Sequence, residues 1–134
     1  MKGEYYVPDE WRKYYKYNVG AGLRDTIKIA ELAAADNNIN AEFTYYSRAL
    51  SFSNIKNDIR NELPVAAWLS KNGAGSSDHI VMFNGARTTS SNSEQVRVYD
   101  PGQGGQAWVL YDDLIDGTCS ALKNRIYDST VYCE

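Results

Sequence analysis

The sequence is poor in the residues that most often bind metals or attack substrates. Its 134 residues include one histidine, His79, and two cysteines, Cys119 and Cys133. A structural zinc site needs four nitrogen or sulfur ligands, and the two cysteines are too far apart to form a Cys-x-x-Cys pair. We therefore expect the chain to use neither a metal nor a cofactor.

Long apolar runs are also missing. A transmembrane helix needs about 20 apolar residues in succession, and no run in this sequence approaches that length. The first segment, MKGEYYVPDEW, has no apolar stretch of the kind that marks a signal peptide. The sequence thus predicts no association with a membrane.

Charge of a single sign is scarce as well. The chain has 14 Lys and Arg against 17 Asp and Glu, a formal net charge of −3, and no long run of either sign. Proteins that bind nucleic acid concentrate Lys and Arg on one surface, because they must neutralise phosphates. Nucleic acid is therefore not expected as a partner.

The two cysteines leave two alternatives open. Cys119 and Cys133 are either inert thiols or a disulfide that closes a short loop near the end of the chain. A disulfide would add about 3 kcal/mol of stability and would imply secretion into an oxidising compartment. Two free thiols would fit the cytoplasm instead, so the sequence does not fix a location.

The composition that is present, 43% hydrophobic and 13% aromatic, is globular and fits one domain over residues 1–134. The first part of the chain, up to about residue 62, favours helices, because its apolar residues recur at helical spacing. Three helices are expected there, over about residues 8–17, Leu23–Ala35 and about 54–62. Ser51 or Ser53 would cap the third helix.

The second part, from about residue 63 to residue 134, favours strands, because short β-branched runs alternate with loops rich in Gly, Ser and Asn. The expected strands there are Val65–Leu69, His79–Phe83, Val96–Tyr99, Trp108–Tyr111 and one or two between 125 and 132, and one further strand, Ala41–Tyr46, is expected in the first part. Ser70–Asp78 and Ala86–Glu94 are expected to be loops. This order predicts an α+β fold, with two or three helices packed on a mostly antiparallel sheet.

Three motifs of the second part occur in a specific order. Pro64-Val65 precedes a Gly-rich loop, Asp78-His79-Ile80-Val81 follows it, and Val96-Arg97-Val98-Tyr99-Asp100-Pro101 comes last. This series resembles the sheet half of papain-like cysteine peptidases, in the bacterial branch that includes the bacteriocin-leader peptidases. The resemblance covers about half of the chain. It implies a papain-like sheet in which His79 is the catalytic base and Asp100 orients its imidazole.

The nucleophile that the resemblance requires is absent from its place. In the family the catalytic Cys precedes the His, whereas both cysteines of this chain follow His79. The family's oxyanion glutamine has no match either, because every Gln also lies after His79. Without a thiolate, His79 and Asp100 cannot perform cysteine-type acyl transfer.

Two explanations for the missing thiol compete. Either the Cys-bearing helix lies before Met1 or in another chain, or Gly22–Ala35 is itself the former Cys helix, with Gly20 or Ala21 near the lost thiol. In both cases the chain is expected to be a papain-like domain or fragment that is inactive alone, and its expected partner is a peptide or protein segment.

A non-enzymatic alternative stays open beside this interpretation. In it, Trp68 and Trp108 join the N-terminal tyrosines in an aromatic surface for a protein or carbohydrate partner. Two further alternatives have less support from spacing. One is a Cys119 nucleophile that folds back onto His79, and the other is a carboxylate pair for glycoside hydrolysis, drawn from Asp112, Asp113, Glu62 and Asp78.

Overall fold

The fold is seen in a computed structural model, which describes residues 2–6, 43–70, 77–100 and 105–133. The helices expected over 8–17 and Leu23–Ala35 lie outside these residues. Seven strands are described: β1 (Lys2–Tyr6), β2 (Phe43–Tyr46), β3 (Val65–Ser70), β4 (Ser77–Thr88), β5 (Glu94–Asp100), β6 (Gly105–Leu110) and β7 (Ile126–Cys133). The helical elements are α1 (Phe52–Arg60), α2 (Tyr111–Asp116) and a 3₁₀ turn (Ser120–Leu122).

All seven strands belong to one sheet. Its order is β2-β7-β3-β4-β5-β6, and β1 pairs with the part of β4 that extends beyond β3. Every pairing is antiparallel. Strand β4, with 12 residues, is the longest and has three partner strands, β1, β3 and β5.

The expectation of an α+β fold is wrong. The described residues form mainly antiparallel sheet with two short α-helices, of nine and six residues, so the fold is more nearly all-β. One physical reason is the length of β4, which continues through Asn84–Thr88 because β1 and β5 satisfy its main-chain groups there. Its residues from Ala86 onward belong to the Ala86–Glu94 stretch that the sequence predicts to be a loop.

The individual strands after residue 63 agree better with expectation. Strands β3 and β5 contain the runs Val65–Leu69 and Val96–Tyr99, and the last strand is one continuous element. Tyr111 begins α2 instead of ending β6. Strand β1 was not expected, and the loop between β4 and β5 is shorter than the Ala86–Glu94 stretch predicted for it.

Helix α1 begins and packs as its pattern predicts. The Ser51 side chain accepts a hydrogen bond from the Asn54 main-chain N–H at 3.2 Å, which caps the helix. Ile55 and Ile59, one turn apart, are fully buried. They join the core residues Val65 and Phe83 in one buried cluster, and the Lys56 ammonium of α1 donates a hydrogen bond to Thr88 Oγ1 of β4.

A one-residue irregularity in β4 decides which side chains share a face. Phe83 pairs with Val98, but Gly85 pairs with Arg97, so Asn84 is an extra residue on β4. Side chains alternate along each strand, and directly paired residues share a face. Phe83, Val96 and Val98 therefore lie on one face, here called the core face. Gly85 and Arg97 lie on the opposite face, here called the arginine face.

The segment between β2 and α1 is fastened to the core by buried hydrogen bonds. The Tyr127 hydroxyl accepts a hydrogen bond from the Leu50 main-chain N–H at 3.1 Å and is bonded to the Thr130 hydroxyl at 2.5 Å. Thr130 Oγ1 donates in turn to the Arg48 carbonyl at 2.9 Å. Burial raises the pKa of Tyr127 far above its ordinary value, so this hydroxyl is neutral under all ordinary conditions.

We predict that Tyr127→Phe lowers the free energy of unfolding by about 1–3 kcal/mol, because it leaves the buried Leu50 N–H without an acceptor. Urea unfolding followed by circular dichroism measures this loss. Tyr45→Phe is the matched control, because the exposed Tyr45 hydroxyl makes only a long bond of 3.4 Å to Ser129. A control loss as large as that of Tyr127→Phe would contradict the prediction.

A second prediction concerns the end of α2. Gly117 has a φ of 74°, and a Cβ there would lie 2.7 Å from the Ile126 side chain. Gly117→Ala is expected to destabilise the fold by roughly 1 kcal/mol or more, from backbone strain and this close contact. Thermal unfolding compares it with Gly105→Ala, whose Cβ would meet nothing within 4 Å. Equal melting temperatures for the two variants would contradict this account.

Candidate functional site

The structure brings His79 and Asp100 together. His79 Nε2 lies 2.9 Å from Asp100 Oδ2. Met82 pairs with Tyr99, so one step further along the two strands Val81 lies opposite Asp100. Val81 and Asp100 are on the core face, and His79, two residues before Val81, is on the same face because side chains alternate. His79 and Asp100 are therefore diagonal neighbours across the β4–β5 ladder, within reach of one another. The expected contact is confirmed, while the catalytic role of the pair stays a prediction.

This contact fixes how the imidazole is presented. Because the Asp100 carboxylate accepts a hydrogen bond, it favours the tautomer in which Nε2 carries the proton. The lone pair of a neutral His79 then lies on Nδ1. Within the described part of the chain Nδ1 makes no hydrogen bond, and the His79 side chain is 25% exposed. This arrangement would suit a general base that a carboxylate orients.

An apolar cleft opens beside Asp100. It has a volume of about 170 Å³, and Asp100 is one of its lining residues. The other walls come from β5, β6 and the 3₁₀ turn: Val98, Gly105, Gln106, Ala107, Val109, Ala121 and Leu122. Its volume is below the roughly 300–1,000 Å³ of most small-molecule sites, so the cleft suits a single side chain better than a whole small molecule.

The structure does not join the other candidate residues to this site. Asp113 accepts a hydrogen bond from the Thr118 hydroxyl at 2.9 Å, which is a local cap at the end of α2. Asp112 and Glu62 are exposed and belong to separate segments, and the Asp78 side chain lies outside the described residues. The carboxylate pair suggested for glycoside hydrolysis thus gains no support from the described residues.

The two tryptophans are also separated. Trp68 on β3 lies opposite Ile80 of β4, and strands β4 and β5 stand between it and Trp108 on β6. Trp108 instead contacts Tyr6, with ring centroids 5.9 Å apart. Trp11 and the tyrosines between residues 14 and 17 lie outside the described residues.

Sequence reasoning missed the far wall of the cleft. Ala121 and Leu122 belong to the 3₁₀ turn, and Gly105 and Gln106 to the start of β6. None of these residues carries a group that reacts, and the 3₁₀ turn reaches the cleft only through the folding of the whole sheet. The one available signal was the Gly-rich stretch before Trp108, which indicates a turn but no cavity.

Within the described residues no three His, Cys, Asp or Glu side chains are grouped to hold a metal ion. No described helix has the length and apolar character that crossing a membrane requires. Compared with known proteins, the chain matches no family model and no curated sequence.

Cys119 is a free thiol in the core and is 5% exposed. It precedes the 3₁₀ turn. Burial raises the pKa of the Cys119 thiol, although the backbone N–H groups of Ala121 and Leu122 act in the opposite direction. A raised pKa leaves less thiolate at neutral pH, so Cys119 is poorly suited to act as a nucleophile.

We predict that iodoacetamide labels Cys119 in the native protein at pH 7.5 at least about tenfold more slowly than in the urea-unfolded chain, because both burial and the raised pKa suppress the thiolate. Mass spectrometry of the proteolytic peptide that contains Cys119 measures the rate. Labelling of the native protein as fast as the unfolded chain would contradict the raised pKa.

Proposed function

We propose that this chain is a papain-like domain or fragment that keeps the base and its orienting carboxylate, lacks the nucleophilic thiol, and binds a peptide segment beside them. The observation that carries the proposal is the 2.9 Å contact between His79 Nε2 and Asp100 Oδ2 at the side of a cleft. The order of the pair along the chain, and its place on adjacent antiparallel strands, agree with the motif series.

The orientation of the imidazole supports a lost or external nucleophile. Asp100 occupies Nε2, so a thiol delivered by another segment would meet Nδ1. A cysteine within hydrogen-bond reach of Nδ1 would transfer its proton to the imidazole and form a thiolate. Alone, the chain has no group in this position among its described residues, and it is therefore expected to hold a peptide without cleaving it.

The edge of the sheet supports a peptide as the partner. Strand β6 is the last strand of the described sheet on the side of the cleft. Its residues Gly105, Gln106 and Ala107 are exposed and also line the cleft. An extended peptide can add to such an edge through main-chain hydrogen bonds and place an alternate side chain in an adjoining apolar pocket.

Restoring a thiol tests the proposal. In a Cys119→Ala, Cys133→Ala background, Gly20→Cys and Ala21→Cys place a single cysteine where the pseudoenzyme explanation locates the lost one. We predict that one of the two is alkylated by iodoacetamide at pH 6 at least about tenfold faster than in the same protein with His79→Ala, because the imidazolium stabilises a thiolate. Mass spectrometry measures the rates.

Ser90→Cys in the same background is the matched control, because Ser90 is exposed in the β4–β5 loop. Its alkylation rate should not change when His79 is replaced. Equal rates with and without His79 at both test positions would exclude the pseudoenzyme explanation. The fragment explanation then predicts that a supplied Cys-containing helix restores peptide hydrolysis that His79→Ala abolishes. Failure of that experiment as well would show the proposed function to be wrong.

A further inference from the structure

The arginine face carries an ordered array of side chains that the proposed function does not use. Tyr6 pairs with Gly85, Gly85 with Arg97, and Arg97 with Trp108, so these residues form one row across β1, β4, β5 and β6. The 5.9 Å contact between the Tyr6 and Trp108 rings confirms that they share a face. His79 and Asp100 lie on the opposite face of the sheet.

The guanidinium of Arg87 is held in place from two directions. It lies 4.0 Å from the centroid of the Trp108 ring, and its Nε donates to Gln95 Oε1 at 2.8 Å. Neither contact involves the two Nη groups, and these groups have no hydrogen-bond partner within the described residues. A guanidinium fixed through its face and its Nε presents a pair of parallel donors, which is the geometry that a carboxylate accepts.

Arg97 is fixed in a similar way beside it. Its guanidinium lies 4.5 Å from the centroid of the Tyr6 ring, and its Nε donates to Asn84 Oδ1 at 2.9 Å. The Asn84 amide donates in turn to Gln106. Gly85 makes this packing possible, because a Cβ there would lie 2.9 Å from the Arg97 Cβ and 3.2 Å from the Trp108 ring.

The contacts of the rings argue against a sugar-stacking platform. A guanidinium already lies against Trp108 and another against Tyr6, so ring surface that would stack on a pyranose is occupied. Two cations in a chain of net charge −3 are also too few for a nucleic-acid surface. What the face offers is the ordered guanidinium of Arg87, with the exposed apolar side chain of Leu110 on the same face.

One acidic side chain on the arginine face, that of Glu4, is a neighbour of Arg87. Glu4 of β1 pairs directly with Arg87 of β4. Among the described residues Arg87 nevertheless forms no ion pair within 4 Å, so its charge is not neutralised at short range. An incoming carboxylate would compete with Glu4 for Arg87, so the unused Nη donors, and not the net charge of the face, favour an anionic partner.

We propose that the arginine face binds an acidic peptide, with a Glu or Asp carboxylate on the Nη groups of Arg87 and a neighbouring apolar side chain against Leu110. Bidentate guanidinium contacts select a planar carboxylate, and the exposed Leu110 side chain favours a peptide over an inorganic anion. The site lies on the opposite face from His79 and does not depend on any role for that residue.

The test is an NMR titration of the ¹⁵N-labelled protein with acetyl-Gly-Glu-Phe-Glu-Gly-amide. We expect saturable shifts of the Trp108 indole N–H and the Arg87 Nε–H signals, and no saturable shift with the peptide in which both Glu are Gln. Arg87→Gln should weaken binding by about tenfold or more, because it removes a charge-assisted hydrogen-bonding pair. Arg87→Lys should weaken it similarly, because an ammonium group has no planar fork.

Arg60→Gln is the matched control, because Arg60 also lies over a tyrosine, 5.2 Å from the Tyr5 ring, but on helix α1. The affinity of Arg60→Gln for the Glu peptide should stay within about twofold of that of the unmodified protein.

Equal binding of the Glu and Gln peptides, or a loss of affinity in Arg60→Gln as large as in Arg87→Gln, would overturn the proposal. Binding of trigalacturonate or of oligo-dT in place of the acidic peptide would overturn it as well, in favour of an anionic sugar or a nucleic acid. Arg87→Lys keeps the test decisive if Arg87→Gln fails to fold.

Discussion

The register of β4 against β5 is the constraint on which the other features depend. Side chains alternate along a strand, so a shift of one residue moves every following side chain to the other face. The extra residue Asn84 makes this shift once, between Phe83 and Gly85. Before it, His79 lies on the core face with Asp100. After it, Gly85 and Arg87 lie on the arginine face. One irregularity thus separates the two candidate sites on opposite sides of a single sheet.

The sequence was informative wherever a local pattern and chain order act together. Short β-branched runs with Gly-rich flanks located β3 and β5, and Ser51 marked the start of α1. Alternation placed His79 on the same side as Val81 and Phe83, and the motif order placed Asp100 on the neighbouring strand. These two statements leave open the register of β4 against β5, on which the face of Asp100 depends. The expected contact came from the motif series, and the extra residue Asn84 brings it about by placing Asp100 on the face of His79.

Features made by pairing between distant segments had no local signal. Asn84–Thr88 is polar and rich in turn formers, yet it is a strand because β1 and β5 pair with it on both edges. Tyr6 reaches Trp108 only through that pairing. The fold-class error has the same origin, since tertiary hydrogen bonding overrides the preference of a short polar stretch. The cleft depends likewise on a 3₁₀ turn whose own sequence shows nothing of the sheet it covers.

A histidine paired with a carboxylate is not by itself evidence of catalysis. The Asp100 side chain is only 10% exposed, and a carboxylate so placed needs donors to offset its lost hydration. His79 supplies one, so stability alone explains the 2.9 Å contact. Stability does not explain the partial exposure of the His79 side chain or the apolar cleft beside Asp100, because a purely structural pair gains nothing from either. These two features, and not the hydrogen bond alone, are what support the proposal of a peptide site beside His79 and Asp100.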